Sequence, residues 1–243
     1  GLAQSMSGNL HMSGTAQEPT RSFAPYVDYC TASLTALSTV GALFHRERTG
    51  AGQLVEGALL KTALTIMNGT LIEQHHLKLD RVGLLNRAPT SGPADVFKTT
   101  DGWLMCLVIG RPQFERWAQM VGADDLLDDP RFIDDIGRGD HGEVLSARMH
   151  SWCAERSTQA ALAEMEANKV PGGPVYSPQQ TLDDEHVQAI GFFEDTHYPG
   201  AAGPSPLSGF PVTLSATPGT VRAPAPTLSQ HTDEVLGELG YSA

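Results

Sequence analysis

The residues best suited to covalent chemistry lie in one short segment, Phe23-Ala-Pro-Tyr-Val-Asp-Tyr-Cys-Thr-Ala32. The segment places one carboxylate, Asp28, between a proline-bearing stretch and a run with helical periodicity. A carboxylate is ionised at pH 7 without assistance and can attack an activated carbonyl carbon to form a covalent intermediate. Asp is also a preferred N-cap residue, worth about 1 kcal/mol to a helix. Local spacing therefore leaves two interpretations of Asp28 open, a nucleophile or a helix cap.

An amphipathic helix over residues 28–48 is expected to position this carboxylate. Leu34, Leu37, Gly41 and Phe44 recur at three- and four-residue spacing, and the last turn is charged. A carboxylate at the start of this helix would lie at the positive end of its dipole, which favours the ionised form.

The other elements are predicted from periodicity, turn residues and capping residues. Residues 1–25, rich in Gly and Ser, are expected to be a loop with at most one short helical turn. Further helices are expected over 58–76, 112–121, 141–155, 158–167 (capped by Ser157 or Thr158), 177–182 and 230–239. Strands are expected over 54–56, 95–99, 103–109, 192–198 and 211–214, with a rigid turn over 170–175 and a solvated acidic loop over 124–135.

Composition excludes several function classes. The chain has 243 residues and a formal net charge of −12, which disfavours nucleic acid and anionic membrane surfaces as partners. No uninterrupted apolar run approaches the ~18 residues that span a bilayer. The three cysteines are far apart and form no C-x-x-C pair, so neither a disulfide framework nor a zinc site is expected, and a reducing, cytoplasmic location fits best.

Histidines offer weaker candidates for chemistry. His11 precedes the Asp28 segment, but a loop histidine without a catalytic role is the expected interpretation. His75 and His76 are adjacent, so their side chains point to different faces of a helix and do not easily chelate one ion. No metal site is predicted.

Several segments together resemble one enzyme family. Pro25–Ser33, followed by His45–Gln53, resembles the catalytic segment of the class III CoA-transferases, the family of formyl-CoA transferase, carnitine CoA-transferase, L-carnitine dehydratase and bile-acid-inducible protein F. Further similar segments follow in the family's order: Ser5–Gly8, Gly14–Pro19, Val96–Trp103, Asp128–Phe132, Val170–Val175, Thr220–Pro226 and Gln230–Val235. The resemblance covers essentially the whole chain. Family members begin with a Rossmann-like half that carries much of the CoA-binding surface, and this sequence has no counterpart of that half.

The resemblance implies an α/β fold, with a Rossmann-like large domain, part of it missing here, and a small α+β domain. Residues 1–90, with the catalytic segment, and 176–243 would belong to the large domain, and residues 91–175 would form the small one. The complete protein would be an interlocked homodimer, and a separate N-terminal half would be a further partner.

The function implied by the resemblance is transfer of coenzyme A from an acyl-CoA to a small carboxylic acid. Asp28 would pass through an aspartyl–acyl anhydride and an aspartyl-CoA thioester, with CoA as substrate and no tightly bound cofactor. Tyr26 and Tyr29 flank Asp28 and would either line an acyl pocket or simply pack. Thr90, Ser91 and Gly92 occupy the place of the family's glycine-bearing loop over the active site, although an ordinary turn before a hairpin remains open.

Two alternatives to CoA transfer stay open. An α-methylacyl-CoA racemase-type isomerase could use the same fold. The chain could also be a non-catalytic subunit, or a fragment that needs a partner half.

Overall fold

The computed structural model describes residues 1–241, which form two compact units, Gly1–Val175 and a second that begins at Tyr176. Residues 242 and 243, which the predicted segment 176–243 includes, lie outside the described residues. The fold mixes helices and sheets, consistent with the predicted α/β class, and every strand pairing among the described residues is antiparallel.

The first unit contains nine α-helices and one sheet. Its helices are α1 (Leu2–Met6), α2 (Asn9–Met12), α3 (Tyr26–Thr49), α4 (Leu59–Ile66), α5 (Asn68–Leu77), α6 (Arg111–Val121), α7 (Asp135–Asp140), α8 (Gly142–Cys153) and α9 (Thr158–Ala167). Single 3₁₀ turns lie at Asp124–Leu126 and Pro130–Phe132. The sheet has the order β1 (Ala94–Lys98), β2 (Trp103–Leu107), β3 (Gly172–Pro174).

In its described part, residues 176–241, the second unit contains three short helices and a hairpin. Its elements are α10 (Pro178–Asp183), α11 (Glu185–Ala189), β4 (Phe193–Thr196), β5 (Ser205–Ser208) and α12 (Thr232–Glu238). In the hairpin Phe193 lies opposite Ser208 and Thr196 opposite Ser205.

The hydrophobic core of the first unit lies between Phe97 and Val170 in sequence. Leu104 and Cys106 are the buried residues of β2 and lie on one face of the sheet, while Ala94 and Phe97 are buried on β1. Helix α8 contacts β1 and helix α9 contacts β2, so one face of the sheet is covered. The ring of Phe114 stacks on Trp117 with centroids 5.7 Å apart and lies 6.2 Å from the ring of Phe132. The Trp117 indole N–H donates to Met149 Sδ at 3.3 Å, so this buried polar group has a partner.

Helix α3 is long and mostly exposed in this chain. Only Val27 and Ala42 among its 24 residues are buried. By length and composition the helix could cross a bilayer, contrary to the expectation from interrupted apolar runs. One such helix is weak evidence for a membrane segment, because core helices of soluble proteins and signal sequences pass the same test.

Most predicted elements are confirmed within two or three residues. These are α3, α6, α8, α9, α10, α12, the β1–β2 hairpin and β4, with Ser157 capping α9 by accepting from the Ala160 N–H at 3.2 Å. Each of these elements is specified locally, by the period of its apolar residues, by a capping side chain or by the turn of a β-hairpin.

Four predictions of local structure are wrong. The segment 1–25 contains α1 and α2 rather than a loop, separated by Gly8 with φ 85°. The helix predicted over 58–76 divides at Met67, which packs with 8% exposure and accepts a hydrogen bond on its sulfur from Asn9 Nδ2. The strands predicted over 54–56 and 211–214 do not form, because neither segment has a strand partner; β5 forms instead.

The predicted rigid turn over 170–175 contains the edge strand β3. Gly172 lies opposite Cys106, and Val175 N–H donates to the Trp103 carbonyl oxygen at 2.9 Å. A Cβ atom at Gly172 would lie 2.3 Å from Met165 Cε, so glycine allows the close approach to α9. Proline is tolerated because the strand is at the sheet edge.

Candidate active site

Asp28 lies in the first turn of α3 but does not cap it. The helix begins at Tyr26, its N-cap is Pro25, and no side chain makes a capping hydrogen bond. The Asp28 backbone N–H instead donates to the Pro25 carbonyl oxygen at 3.0 Å. The N-cap interpretation of Asp28 is therefore wrong, while its exposed carboxylate lies where the helix dipole favours negative charge.

The two tyrosines beside Asp28 differ in their surroundings. Tyr26 is half-buried, whereas Tyr29 is exposed. Val27, between Tyr26 and Asp28, is 3% exposed and is the buried side chain of this turn. Tyr29 therefore offers a free aromatic face next to the carboxylate in this chain.

The segment Thr90–Gly92 is packed against α7 and α8. Thr90 is exposed, but Ser91 and Gly92 are buried. A Cβ atom at Gly92 would lie 2.7 Å from the Arg138 carbonyl oxygen and 2.9 Å from Leu145 Cδ1. Glycine is thus required here for close packing. No hydrogen bond or ion pair within residues 1–241 joins this segment to Asp28.

Helix α7 makes a second close contact at the start of this segment. Gly139 approaches so closely that an added Cβ atom would lie 2.2 Å from the Pro89 carbonyl oxygen and 2.7 Å from Thr90 N. Arg87 Nη1 also donates to the Gly139 carbonyl oxygen at 3.2 Å. The sequence pattern does not predict α7, because the helix begins at the last residue of the acidic stretch 124–135 and contains two glycines, Gly137 and Gly139.

A buried arginine holds α7 in place. Arg138 is 1% exposed and donates to Asp135 Oδ1 at 2.6 Å and to the Phe132 carbonyl oxygen at 2.8 Å. Burial raises the pKa of Asp135, but the Arg138 hydrogen bond and the Gly110 N–H outweigh it, so the pKa is lowered. Asp134 caps α7 by accepting from the Gly137 N–H at 2.8 Å. The acidic stretch is therefore structural at Asp134 and Asp135, whereas Asp124, Asp125 and Asp128 are exposed, as expected for a solvated segment.

A cavity of about 490 Å³ lies between α2, α5 and the segment that follows α5. Met12, Met67 and Leu71 contribute apolar lining, and exposed His11 lies at its edge. Arg81 also lines the cavity, with Nε 2.8 Å from Glu73 Oε2 and Nη1 3.1 Å from Asp140 Oδ1. The hydrogen bond with Glu73 is the main cause of the raised pKa of Arg81.

Histidine and cysteine side chains assemble no metal site in the part of the chain that the structure describes. The rings of His75 and His76 lie edge to face with centroids 4.9 Å apart. Cys30, Cys106 and Cys153 are free thiols, and burial raises the pKa of Cys106 to about 12.

Comparison with known proteins covers nearly the whole chain. A family model described as CoA-transferase family III matches residues 1–232. Succinyl-CoA–D-citramalate CoA-transferase of Chloroflexus aurantiacus is 29% identical, over 98% of this chain and 60% of the relative. Succinate–glutarate CoA-transferase of Agrobacterium fabrum is 28% identical, over 98% of this chain and 60% of the relative.

Solved structures share the fold. The crystal structure of a CAIB/BAIF family protein from Brucella suis has a TM-score of 0.77 at 22% identity, covering 98% of this chain and 61% of that one. Rv3272 from Mycobacterium tuberculosis has a TM-score of 0.75 at 20% identity, covering 95% of this chain and 61% of that one. This chain thus spans about three fifths of the length of these relatives.

Proposed function

Because the chain belongs to CoA-transferase family III, we propose that the protein transfers coenzyme A from an acyl-CoA thioester to a free carboxylic acid through Asp28. The observation that carries the proposal is the family match, which extends over residues 1–232 and so includes the whole Asp28 segment and α3. The exposed carboxylate in the first turn of α3 supports it, since it is open to a substrate.

The reaction has two symmetrical halves. The Asp28 carboxylate attacks the thioester carbonyl carbon, the C–S bond breaks, and CoA leaves as a thiolate. The thiolate attacks the aspartyl carbonyl carbon of the resulting anhydride, the donor acid leaves as a carboxylate, and an aspartyl-CoA thioester remains. The acceptor carboxylate reverses these steps and departs as its CoA thioester, so no net proton or electron is exchanged.

Electrostatics of the helix favour this chemistry. The positive end of the α3 dipole stabilises the Asp28 carboxylate before attack and after release. The same dipole would favour negative charge developing on an oxyanion beside Asp28. Water must be excluded from both covalent intermediates, because each would otherwise hydrolyse.

Short dicarboxylic acids are the substrates to examine first. The relatives are named for succinyl-CoA with D-citramalate, succinyl-CoA with mesaconate, and succinate with glutarate. We therefore propose succinyl-CoA as donor and a four- or five-carbon dicarboxylate as acceptor.

The test traps the proposed intermediate. The natural gene product that contains this chain is incubated with succinyl-CoA and hydroxylamine, and peptides are mapped by mass spectrometry. A hydroxamate at Asp28 is expected, since hydroxylamine attacks both the anhydride and the thioester. Asp28→Asn should lower kcat for transfer by at least about 10³-fold.

Asp233→Asn is the matched control for Asp28→Asn. Asp233 is also an exposed carboxylate in the first turn of a helix, α12, and its variant should keep normal transfer. Normal transfer by Asp28→Asn would contradict the proposal. Exchange of an α-proton on the acyl-CoA without transfer would favour the isomerase alternative.

A further inference from the structure

The first turn of α3 has few fixed contacts in the described chain. Its N-cap, Pro25, makes no side-chain hydrogen bond, and Val27 is the buried side chain of this end of the helix. The orientation of the Asp28 carboxylate therefore depends on what ties this turn to the rest of the fold.

One side-chain hydrogen bond supplies such a tie. The Thr31 hydroxyl donates to the Val27 carbonyl oxygen at 2.7 Å and to Thr62 Oγ1 on α4 at 2.8 Å, a three-centre arrangement. Among residues 1–241 it is the side-chain hydrogen bond that links α3 to another helix or strand. Thr62 is 7% exposed, so water does not readily replace it as the partner.

The two halves of the Thr31 side chain have separate neighbours. Its methyl group lies beside Gly57, where an added Cβ atom would be 3.4 Å from Thr31 Cγ2. Its hydroxyl faces Thr62. Thr31→Val therefore keeps the shape that packs beside Gly57 and removes only the hydrogen bond, while Thr31→Ser keeps the hydroxyl.

Val27 and Thr31 bracket Asp28 within one helical turn. Residues four apart lie on the same face of a helix, so buried Val27 lies on the face of α3 that Thr31 presents to Thr62, and the hydrogen bond restrains the rotation of that turn. We propose that Thr31, hydrogen-bonded to Thr62, is a positioning residue for Asp28 in the transfer reaction, an inference that rests on the proposed function.

Steady-state kinetics test the inference in the natural gene product with succinyl-CoA. Thr31→Val should lower kcat about 10- to 100-fold, because a small misplacement of a reacting group can reduce rate by two orders of magnitude. KM for succinyl-CoA should change less than about twofold, since the Thr31 hydroxyl is already engaged by Val27 and Thr62. Thr31→Ser should restore kcat to within about threefold of the wild-type value, because it keeps the hydroxyl.

Thr39→Val is the matched control on the same helix. The Thr39 hydroxyl donates to the Thr35 carbonyl oxygen at 2.9 Å, the same bond within the helix, but it is exposed and has no partner on α4. Its kcat should remain at the wild-type value. Thr62→Val removes the other partner of the same hydrogen bond, on α4. The double variant Thr31→Val/Thr62→Val should therefore be no slower than either single variant.

A second readout does not depend on transfer activity. The rate at which a water-soluble carbodiimide modifies Asp28, followed by peptide mass spectrometry, reports the exposure and surroundings of its carboxylate. Thr31→Val and Thr62→Val should change this rate at least about twofold, and Thr39→Val should leave it unchanged.

The outcomes separate this inference from the proposed function. If Asp28→Asn keeps normal transfer, the proposed function fails, and the carbodiimide rates alone decide whether Thr31 positions Asp28. Wild-type kcat and labelling in Thr31→Val would overturn the inference. So would equal losses in Thr31→Val and Thr31→Ser, which would indicate a packing role for the side chain. Should Thr31→Val fail to fold, Thr62→Val and Thr31→Ser give the same comparison.

Discussion

At the scale of single residues, buried polar groups are expected to contribute more to the stability of the first unit than exposed ion pairs do. Arg138 is enclosed by Asp135, the carbonyl oxygens of Phe132 and Ile133, and the ring of Phe114 at 5.0 Å from its guanidinium carbon. By contrast Arg148 and Asp125 form a 3.0 Å ion pair with both side chains at least half exposed. Solvent screening makes the second kind of pair worth little.

Replacing Arg138 tests this difference. Arg138→Met should lower the free energy of unfolding by about 3 kcal/mol, because it leaves the Asp135 carboxylate without its charged partner and the carbonyl oxygens of Phe132 and Ile133 without the donor they share. Arg148→Met should cost less than about 1 kcal/mol. Urea denaturation followed by tryptophan fluorescence measures the free energy of unfolding of both variants. Equal losses in the two variants would contradict the larger contribution assigned to Arg138.

At the scale of elements, two contacts connect segments that are far apart in sequence. Gly139 on α7 packs directly on the backbone at Pro89 and Thr90. Asp101, in the turn between β1 and β2, accepts from the Thr158 N–H at 2.8 Å and the Thr158 hydroxyl at 2.9 Å at the start of α9. The hairpin turn predicted from Thr100-Asp-Gly102 thus also anchors a helix.

Alanine at two helical glycines should have opposite effects. Gly139→Ala should destabilise the protein by about 1–3 kcal/mol, because its Cβ atom would collide with backbone atoms that cannot rotate away. Gly41→Ala, at an open position of α3, should stabilise it by up to about 1 kcal/mol through helix propensity. Chemical denaturation gives both values, and a neutral Gly139→Ala would show that α7 can move away from residues 89–90.

The Asp101 contact should make stability depend on acid pH. The Thr158 backbone N–H, and then its hydroxyl, lower the pKa of Asp101 below its ordinary value of 3.8. The contribution of Asp101 is therefore present above about pH 4 and is lost as pH falls through the lowered pKa. Asp101→Asn should melt below wild type at pH 6, and the difference should shrink below pH 4.

Asp128→Asn is the control for the acid titration. The Asp128 carboxylate accepts no hydrogen bond from any residue that the structure describes, so its variant should follow the wild-type melting curve at every pH. Thermal melts recorded at intervals of about 0.5 pH unit resolve the pH range over which the contribution of Asp101 is lost. A difference in melting temperature between Asp101→Asn and wild type that stays constant over this pH range would exclude a role for the Asp101 charge.

At the scale of the whole molecule, stability is concentrated in one part of the chain. The main cluster of buried apolar residues lies between Phe97 and Val170, and so do the three tryptophans, Trp103, Trp117 and Trp152. In contrast, α3 exposes Leu37, Val40 and Phe44 by 63–69%.

A truncated chain tests this distribution. A chain that ends at Val175 should keep the tryptophan emission maximum and a cooperative urea transition, because it retains every residue of the core. The transition midpoint should lie close to that of the full chain. A red-shifted emission or loss of cooperativity would mean that residues beyond Val175 are required for the core to form.

The sequence by itself determined what depends on near neighbours. The period of α3, the Ser157 cap, the β1–β2 hairpin and the resemblance of the Asp28 segment to its family could all be predicted, because each is specified by residues within a few positions of one another. The role of Asp28 in chemistry remains a prediction.

Only the tertiary structure decided what depends on distant partners. The edge strand β3, the α7 support through Arg138, the close contact at Gly92 and the Thr31–Thr62 hydrogen bond each join segments that no local pattern connects. It also moved the start of α3 to Tyr26, so that Asp28 no longer serves as the cap. The physical reason is that burial and hydrogen-bond satisfaction are properties of the packed chain, and they override local propensity wherever the two differ.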